Sequence, residues 1–217
     1  AETSIVLQGD RDDFVSRGGH KLAGALEAFK DVVVEGKNCL DAGASTGGFT
    51  DVLLRQGAKL VVAVDVGYGQ LAWELRQDPR VKILDRTNIR HLTGDMVGEE
   101  IDLVVADLSF ISLSLVLPAL AAVSKPNADF VLMVKPQFEV GREKLGAGGV
   151  VRDPELRKAA VLDVAESAYD VGLGTMGIAA SPLPGPAGNV EYFLWLRRGA
   201  PAIDGASVSQ AIAMGPA

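Results

Sequence analysis

Between Asn38 and Thr50 the chain reads N-C-L-D-A-G-A-S-T-G-G-F-T, an order of residues that few backbones can hold. A short apolar run precedes a cluster of glycines, and Phe49, Val52, Leu53 and Leu54 follow at helical spacing. That pattern predicts a strand over Lys37 to Asp41, a tight turn, and a helix to about Gln56. Glycines at 43, 47 and 48 would let the backbone approach a ligand closely, because a Cβ there would fill the ligand's space and restrict left-handed conformations. A dinucleotide fingerprint requires G-x-G-x-x-G, whereas Gly43, Ser45 and Gly48 fill those three positions and Asp41 stands two residues ahead of the first. A carboxylate beside the turn would repel a pyrophosphate and suits a cationic ligand. The alternative is a glycine-rich connection that binds nothing.

At 217 residues and 48% hydrophobic side chains, one large α/β domain with a buried core is the simplest division. The longest apolar run, Leu113 to Val123, contains serine and proline and falls far below the roughly 18 residues of a membrane span, so a core helix is expected there. The single cysteine, Cys39, lies in the first predicted strand; intramolecular disulfides are impossible, a reducing compartment is the default, and a small buried hydrophobe is its expected role. With two histidines and no metal-ligand spacing, a metal-free, cytoplasmic protein without a signal peptide is expected. A formal charge of −7 argues against holding nucleic acid by bulk electrostatics, so any RNA contact must be local or supplied by another module. The opening Ala1-Glu2-Thr3-Ser4-Ile5-Val6-Leu7 lacks methionine and reads as the last strand of an upstream domain.

Residues 1–15 are expected to be a linker or a domain remnant, 16–198 the main domain, and 199–217 a flexible or weakly helical tail. Ser16 is a plausible N-cap for a helix whose apolar face is Leu22, Ala25, Leu26 and Phe29, which puts Lys21 unfavourably in the first turn. A second strand, Leu60 to Asp65, ends on an acidic residue about twenty positions after the turn, where a ribose diol would be held. A helix follows Gly67-Tyr68-Gly69, and a third strand, Arg80 to Leu84, ends at Asp85, a candidate acceptor for an adenine amino group. The fourth strand, Ile101 to Asp107, is a near-continuous apolar run of the buried parallel kind, so Asp107 points into the same crevice as the first turn. A helix over Ser114 to Val123 leads to a fifth strand, Phe130 to Val134, ending in Lys135-Pro136. Gln137 to Arg152 is a glycine-rich loop of functional length, Asp153-Pro154-Glu155 starts a helix, and a final strand runs from Val190 to Leu196 with Glu191 near its start.

Asp41-x-Gly43-x-Ser45-x-Gly47 resembles the first motif of class I S-adenosylmethionine (SAM) methyltransferases, whose cofactor carries an ammonium and a sulfonium. The element order fits their variant of the Rossmann-like α/β fold, a mostly parallel seven-stranded sheet with an antiparallel last strand. Candidate cofactor residues are Asp41, Gly43, Ala44, Ser45, Gly47 and Phe49 around the turn, with Asp65, Val66, Asp85 and Asp107 at the later strand ends. Lys21 in R-G-G-H-K-L, Asp107 in A-D-L-S-F-I-S, Lys135 in V-K-P-Q-F-E and Glu191 in G-N-V-E-Y-F resemble the Lys-Asp-Lys-Glu tetrad of the FtsJ-like 2′-O-ribose methyltransferases, and the surrounding residues resemble their TlyA (haemolysin A) branch. The resemblance implies SAM-dependent methylation of cytidine ribose in ribosomal RNA or ribosomal subunits, with an S4-type RNA-binding domain upstream, and neither DNA nor a membrane as partner. That branch's Arg-Ala-Trp-Val linker stands here as Asp12-Asp13-Phe14-Val15. Lys135 is the expected general base, which requires a largely neutral amine; burial and Lys21 favour this, and the two carboxylates oppose it. Arg17, Arg142 and Lys144 are the candidate RNA contacts. Amino-nitrogen methylation fits worse, because Asp107-Leu108-Ser109-Phe110 lacks the prolines of a base-stacking clamp; cytosine C5 chemistry would need a cysteine in the crevice. A lytic protein and a SAM-binding module without turnover are the remaining alternatives.

Overall fold

The computed structural model describes residues 13–215; the strand expected within residues 1–7 and the connection up to Asp12 lie outside the described residues. Seven strands, β1 (Asn38–Ala42), β2 (Leu60–Val64), β3 (Val81–Leu84), β4 (Ile101–Ala106), β5 (Ser124–Val134), β6 (Leu173–Ala180) and β7 (Tyr192–Arg198), form one sheet in the order β3-β2-β1-β4-β5-β7-β6. Neighbours from β3 to β5 pair in parallel, and β7 runs antiparallel to both β5 and β6. The helices are α1 (Arg17–Ala28), α2 (Gly48–Arg55), α3 (Trp73–Gln77), α4 (Gly94–Val97), α5 (Leu117–Ala122), α6 (Pro136–Glu139), α7 (Pro154–Asp170) and α8 (Gly205–Met214).

Apolar residues on both faces of the central strands give the sheet two cores, because successive side chains point to opposite sides. Leu103 and Val105 of β4 join Leu22, Leu26, Phe49 and Leu53 under α1 and α2. Val104 and Ala106 face the other layer, with Leu117 and Leu120 of α5, Val161 and Val164 of α7, and Val208 of α8. The α1 stripe Leu22, Ala25, Leu26 and Phe29 is buried as its spacing predicts. Ser16 occupies the N-cap position, but its hydroxyl makes no capping hydrogen bond. It lies instead against α2, where a Cβ on Gly48 would come within 2.3 Å of Ser16 Oγ and 2.7 Å of Gly19 N. Gly48 therefore permits the close crossing of α1 over α2.

Several boundaries differ from the pattern-based expectation. The apolar run from Leu113 breaks into a 3-10 turn over Leu113–Leu115 and then α5, whose first turn contains Pro118, a residue that supplies no backbone N–H and suits a helix start. The Gly67-Tyr68-Gly69 segment is a loop, and α3 begins at Trp73. β5 extends back through the polar Ser124-Lys125-Pro126-Asn127. The loop after β5 contains the single turn α6. The tail forms a capped helix: Asp204 accepts hydrogen bonds from Ala206 N (3.1 Å) and Ser207 N (3.2 Å), and Val208 is fully buried.

Candidate active site

The chain leaves β1 to build β2 and β3 on one side of the sheet and β4 and β5 on the other, so the crevice of the topological switch opens between the carboxyl ends of β1 and β4. Gly43 leaves β1 with φ +86, and a Cβ on it would lie 2.7 Å from the carbonyl oxygen of Asp107, so only glycine lets the two strand exits approach this closely. Gly43 N and Ala44 N donate to Val64 O at 2.9 and 3.1 Å. Ser45 takes a left-handed φ of +48 and its N–H donates to Asp65 Oδ2 at 2.8 Å, while Gly67 N donates to Oδ1 at 2.7 Å. Asp65 thus fixes the turn to the end of β2.

Two adjoining cavities, about 430 and 450 Å³, share Gly43, Ser45, Asp107 and Ser109. The first is also lined by Ala44, Phe49, Arg17, Lys21 and Lys135, and the second by Asp65, Val66, Asn88, Ile89 and Phe110. Each falls within the ordinary size of a ligand site. Together they make an elongated slot that is polar and charged at one end and partly apolar at the other. It suits SAM, with the amino-acid part beside the turn and the adenosine part past Asp65.

Lys21, at the start of the second turn of α1, is 6% exposed and sits 2.5 Å from Glu191 Oε2; Glu191, just ahead of β7, is 1% exposed. Lys135, closing β5, lies 2.5 Å from Asp107 Oδ1 and donates to Ser109 Oγ at 3.0 Å. The Asp107 contact is ionic without hydrogen-bond directionality, since Oδ1 has no directed partner. Lys21, Asp107 and Lys135 line the first cavity, and the Lys21 partner Glu191 lies behind it.

Other expected site residues lie elsewhere. Asp41 is fully buried beneath the turn and lines neither cavity; its Oδ2 accepts from Thr50 Oγ1 at 2.7 Å, and Oδ1 has no partner. Burial, reinforced by the nearby Asp107 and Asp65 carboxylates and opposed by Thr50, pushes its carboxyl up to about 7. Asp85 also lines neither cavity: its Oδ2 accepts from Gly69 N at 3.1 Å and faces Arg76 at 3.5 Å, bracing the loop after β2. Asn88 and Ile89 line the second cavity and Asp85 does not. Gly47, with φ +100, makes room for packing: a Cβ would lie 2.2 Å from Leu75 Cδ1. Arg17 is exposed at the cavity rim and reaches Pro184 O at 3.5 Å. Lys144 is exposed in the 3-10 turn Arg142–Lys144, away from both cavities, and the side chain of Arg142 lies outside the description. Cys39 is buried, with its thiol pushed up to about 12 mainly by burial, so it offers no nucleophile to the crevice.

Ser109 and Phe110 are site residues that sequence reasoning missed. Phe110 is 90% exposed with φ +64, an unusual backbone for a bulky residue and one associated with functional loops; its ring lies 5.1 Å from that of Phe138. Nothing in Leu108-Ser109-Phe110 distinguishes an exposed ring from a core one. Only its place directly after a strand-ending aspartate could have drawn attention to it.

A sheet of this order with one reversed strand, and a charged slot at the β1/β4 switch point, defines a class I SAM-dependent methyltransferase. The chain belongs to the FtsJ-like methyltransferase family, whose model matches residues 14–198. It is 62% identical, over 89% of its own length and 72% of the relative's, to the 16S/23S rRNA (cytidine-2′-O)-methyltransferase TlyA of Mycobacterium tuberculosis. A solved protein from Streptococcus thermophilus, described as a candidate hemolysin, superposes with a TM-score of 0.89 at 42% identity, covering 95% of this chain and 75% of that one. The fold alone is shared with magnesium protoporphyrin IX methyltransferase of Synechocystis PCC 6803, solved with bound SAH, at a TM-score of 0.57 and 18% identity over 84% of each chain.

Proposed function

We propose that this protein methylates the 2′-hydroxyl of a cytidine ribose in ribosomal RNA, with Lys135 as general base. The observation that carries this reading is the contact of Lys135 with Asp107, 2.5 Å apart at the boundary of the two cavities, where a bound donor's methyl group would lie. SAM supplies an electrophilic methyl on a sulfonium. Gly43 and Ser45 hold the cofactor's central part, Asp65 its ribose, and Asp107 faces the sulfonium region.

A ribose hydroxyl is a poor nucleophile at neutral pH, so transfer depends on in-line positioning and a proton acceptor. To act as the base, the Lys135 amine first gives its ammonium proton to solvent; it then takes the hydroxyl proton as the oxygen attacks the methyl group and the donor leaves as a neutral thioether. Ser109 Oγ, 3.0 Å from Lys135 Nζ, keeps that amine directed at the acceptor. Lys21, fixed by Glu191, stabilises the charge that develops on the ribose oxygen. Arg17 at the rim and Arg142 and Lys144 on the glycine-rich loop contact RNA phosphates, and the exposed Phe110 ring stacks on an unpaired base. The first relative's name supports cytidine and both ribosomal subunits as the substrate class.

Methyl transfer from labelled SAM to ribosomal subunits lacking the modification tests the reading. Lys135→Ala is expected to lower turnover at least a hundredfold while SAM affinity by calorimetry stays within about threefold. Near-normal turnover in that variant would exclude Lys135 as the base. A wild-type protein that binds SAM and methylates neither subunit would leave the binding-module alternative. Among the described residues no helix is long and apolar enough to cross a membrane.

A further inference from the structure

The loop that carries Asp107 is held at both ends by one helical turn. Lys135, the N-cap of α6, grips its start through Asp107 at 2.5 Å and Ser109 Oγ at 3.0 Å. Glu139, the last residue of α6, grips its far end: Oε2 accepts from Ser112 Oγ at 2.6 Å and Oε1 from Leu113 N at 3.0 Å. Between the two grips the loop rises to Phe110, with φ +64, and the Phe138 ring sits 5.1 Å below it. Phe138 N donates back to Lys135 O at 2.9 Å, so the turn that separates the grips is itself closed.

A carboxylate with one oxygen on a hydroxyl and the other on a backbone N–H fixes both the distance and the rotation of the segment it binds. Burial raises the pKa of Glu139 and Asp163 adds a like charge, while Ser112 and Leu113 favour the ionised form. The group is therefore a half-buried acid kept in place by the loop it holds. It lines neither cavity.

We infer that Glu139 is a positioning residue for methyl transfer: by clamping Ser112 and Leu113 it keeps the Asp107 loop in register with the α6 turn that carries Lys135. This rests on the assignment of Lys135 above. Loss of the clamp removes the directed hold on the far end of the loop, so the carboxylate and the amine can drift together relative to the methyl donor. Displacements of about 1 Å at a reacting centre can cost on the order of a hundredfold in rate.

The test compares Glu139→Ala, Glu139→Gln, Ser112→Ala and Lys135→Ala in the intact protein, with labelled SAM and unmodified ribosomal subunits. Glu139→Ala is expected to lower kcat about tenfold or more, with KM for SAM and its calorimetric affinity within about twofold. Glu139→Gln is expected to recover most of that loss, because its amide can accept from Leu113 N and donate to Ser112 Oγ. Ser112→Ala, which removes the Glu139 contact and the cap that Ser112 Oγ gives Ser114 N (3.2 Å) but leaves the acid in place, is expected to lower kcat about threefold and serves if Glu139→Ala does not fold. The inference is overturned if the foldable variants keep kcat within about twofold, if SAM affinity falls as far as kcat, or if glutamine recovers nothing. An active Lys135→Ala removes the base assignment itself. An inactive Lys135→Ala beside unimpaired Glu139 and Ser112 variants removes only the role of Glu139.

Discussion

Asp41 illustrates how a residue of the turn motif can lie beneath the slot and line neither cavity. Its acidic character and its place two residues before Gly43 were legible, but its orientation was not: a strand alternates faces, and one step of register decides between the crevice and the core. Folding buries it against Thr50 and pushes its carboxyl from 3.8 up to about 7. A carboxyl raised in this way favours the fold fully below its unfolded value, and that contribution is lost as pH rises through about 7. The loss is on the order of a few kcal/mol. Asp41→Asn should therefore melt at an increasingly higher temperature relative to wild type as pH goes from 5 to 8 in the absence of cofactor. A melting difference that stays constant over that range would mean that Asp41 does not titrate there. Lys21 is the complementary case: its expected place in the first turn of α1 hinted at a purpose, and the structure pairs it with Glu191, 170 residues later in the chain.

Elements were the most legible level, and the reasons for the exceptions are physical. Continuous apolar runs such as Ile101 to Ala106 become buried parallel strands because helices cover both faces. The first residues of β5 carry lysine, proline and asparagine and read as loop; they join the strand at the rim where β4 begins, and their polar side chains stay partly exposed there. The last helix was hidden by small residues with weak periodicity, although Asp204 ahead of Gly205 is a cap signal. The turn after β1 was the clearest feature, and its glycines divide the labour: Gly47 and Gly48 serve packing, and Gly43 serves the crevice. Gly43→Ala should accordingly weaken SAM binding at least tenfold, because the new methyl group would press on the Asp107 backbone. Alanine at 43 with unchanged calorimetric affinity would show that the strand exits can separate without harm.

At the scale of the whole molecule, charge sets how RNA can be held. Twenty-one basic residues against 28 acidic ones leave no general attraction for phosphate, so affinity must come from a few locally placed cations. Lys144→Ala is expected to weaken RNA binding evenly across sequences and to reduce the slope of log affinity against log salt by about 1. An unchanged slope in anisotropy titrations would take Lys144 out of the interface. The reversal of β7 has a different consequence. In a sheet whose parallel strands all finish at one rim, a residue near the beginning of a further parallel strand would be stranded at the opposite rim, roughly 20 Å away for a strand of this length. Running the other way, β7 delivers Glu191 at its beginning to the edge that β1, β4 and β5 reach at their ends. One inverted strand thereby recruits a fourth charged group from the final stretch of the domain, and sequence distance ceases to limit what the rim can assemble.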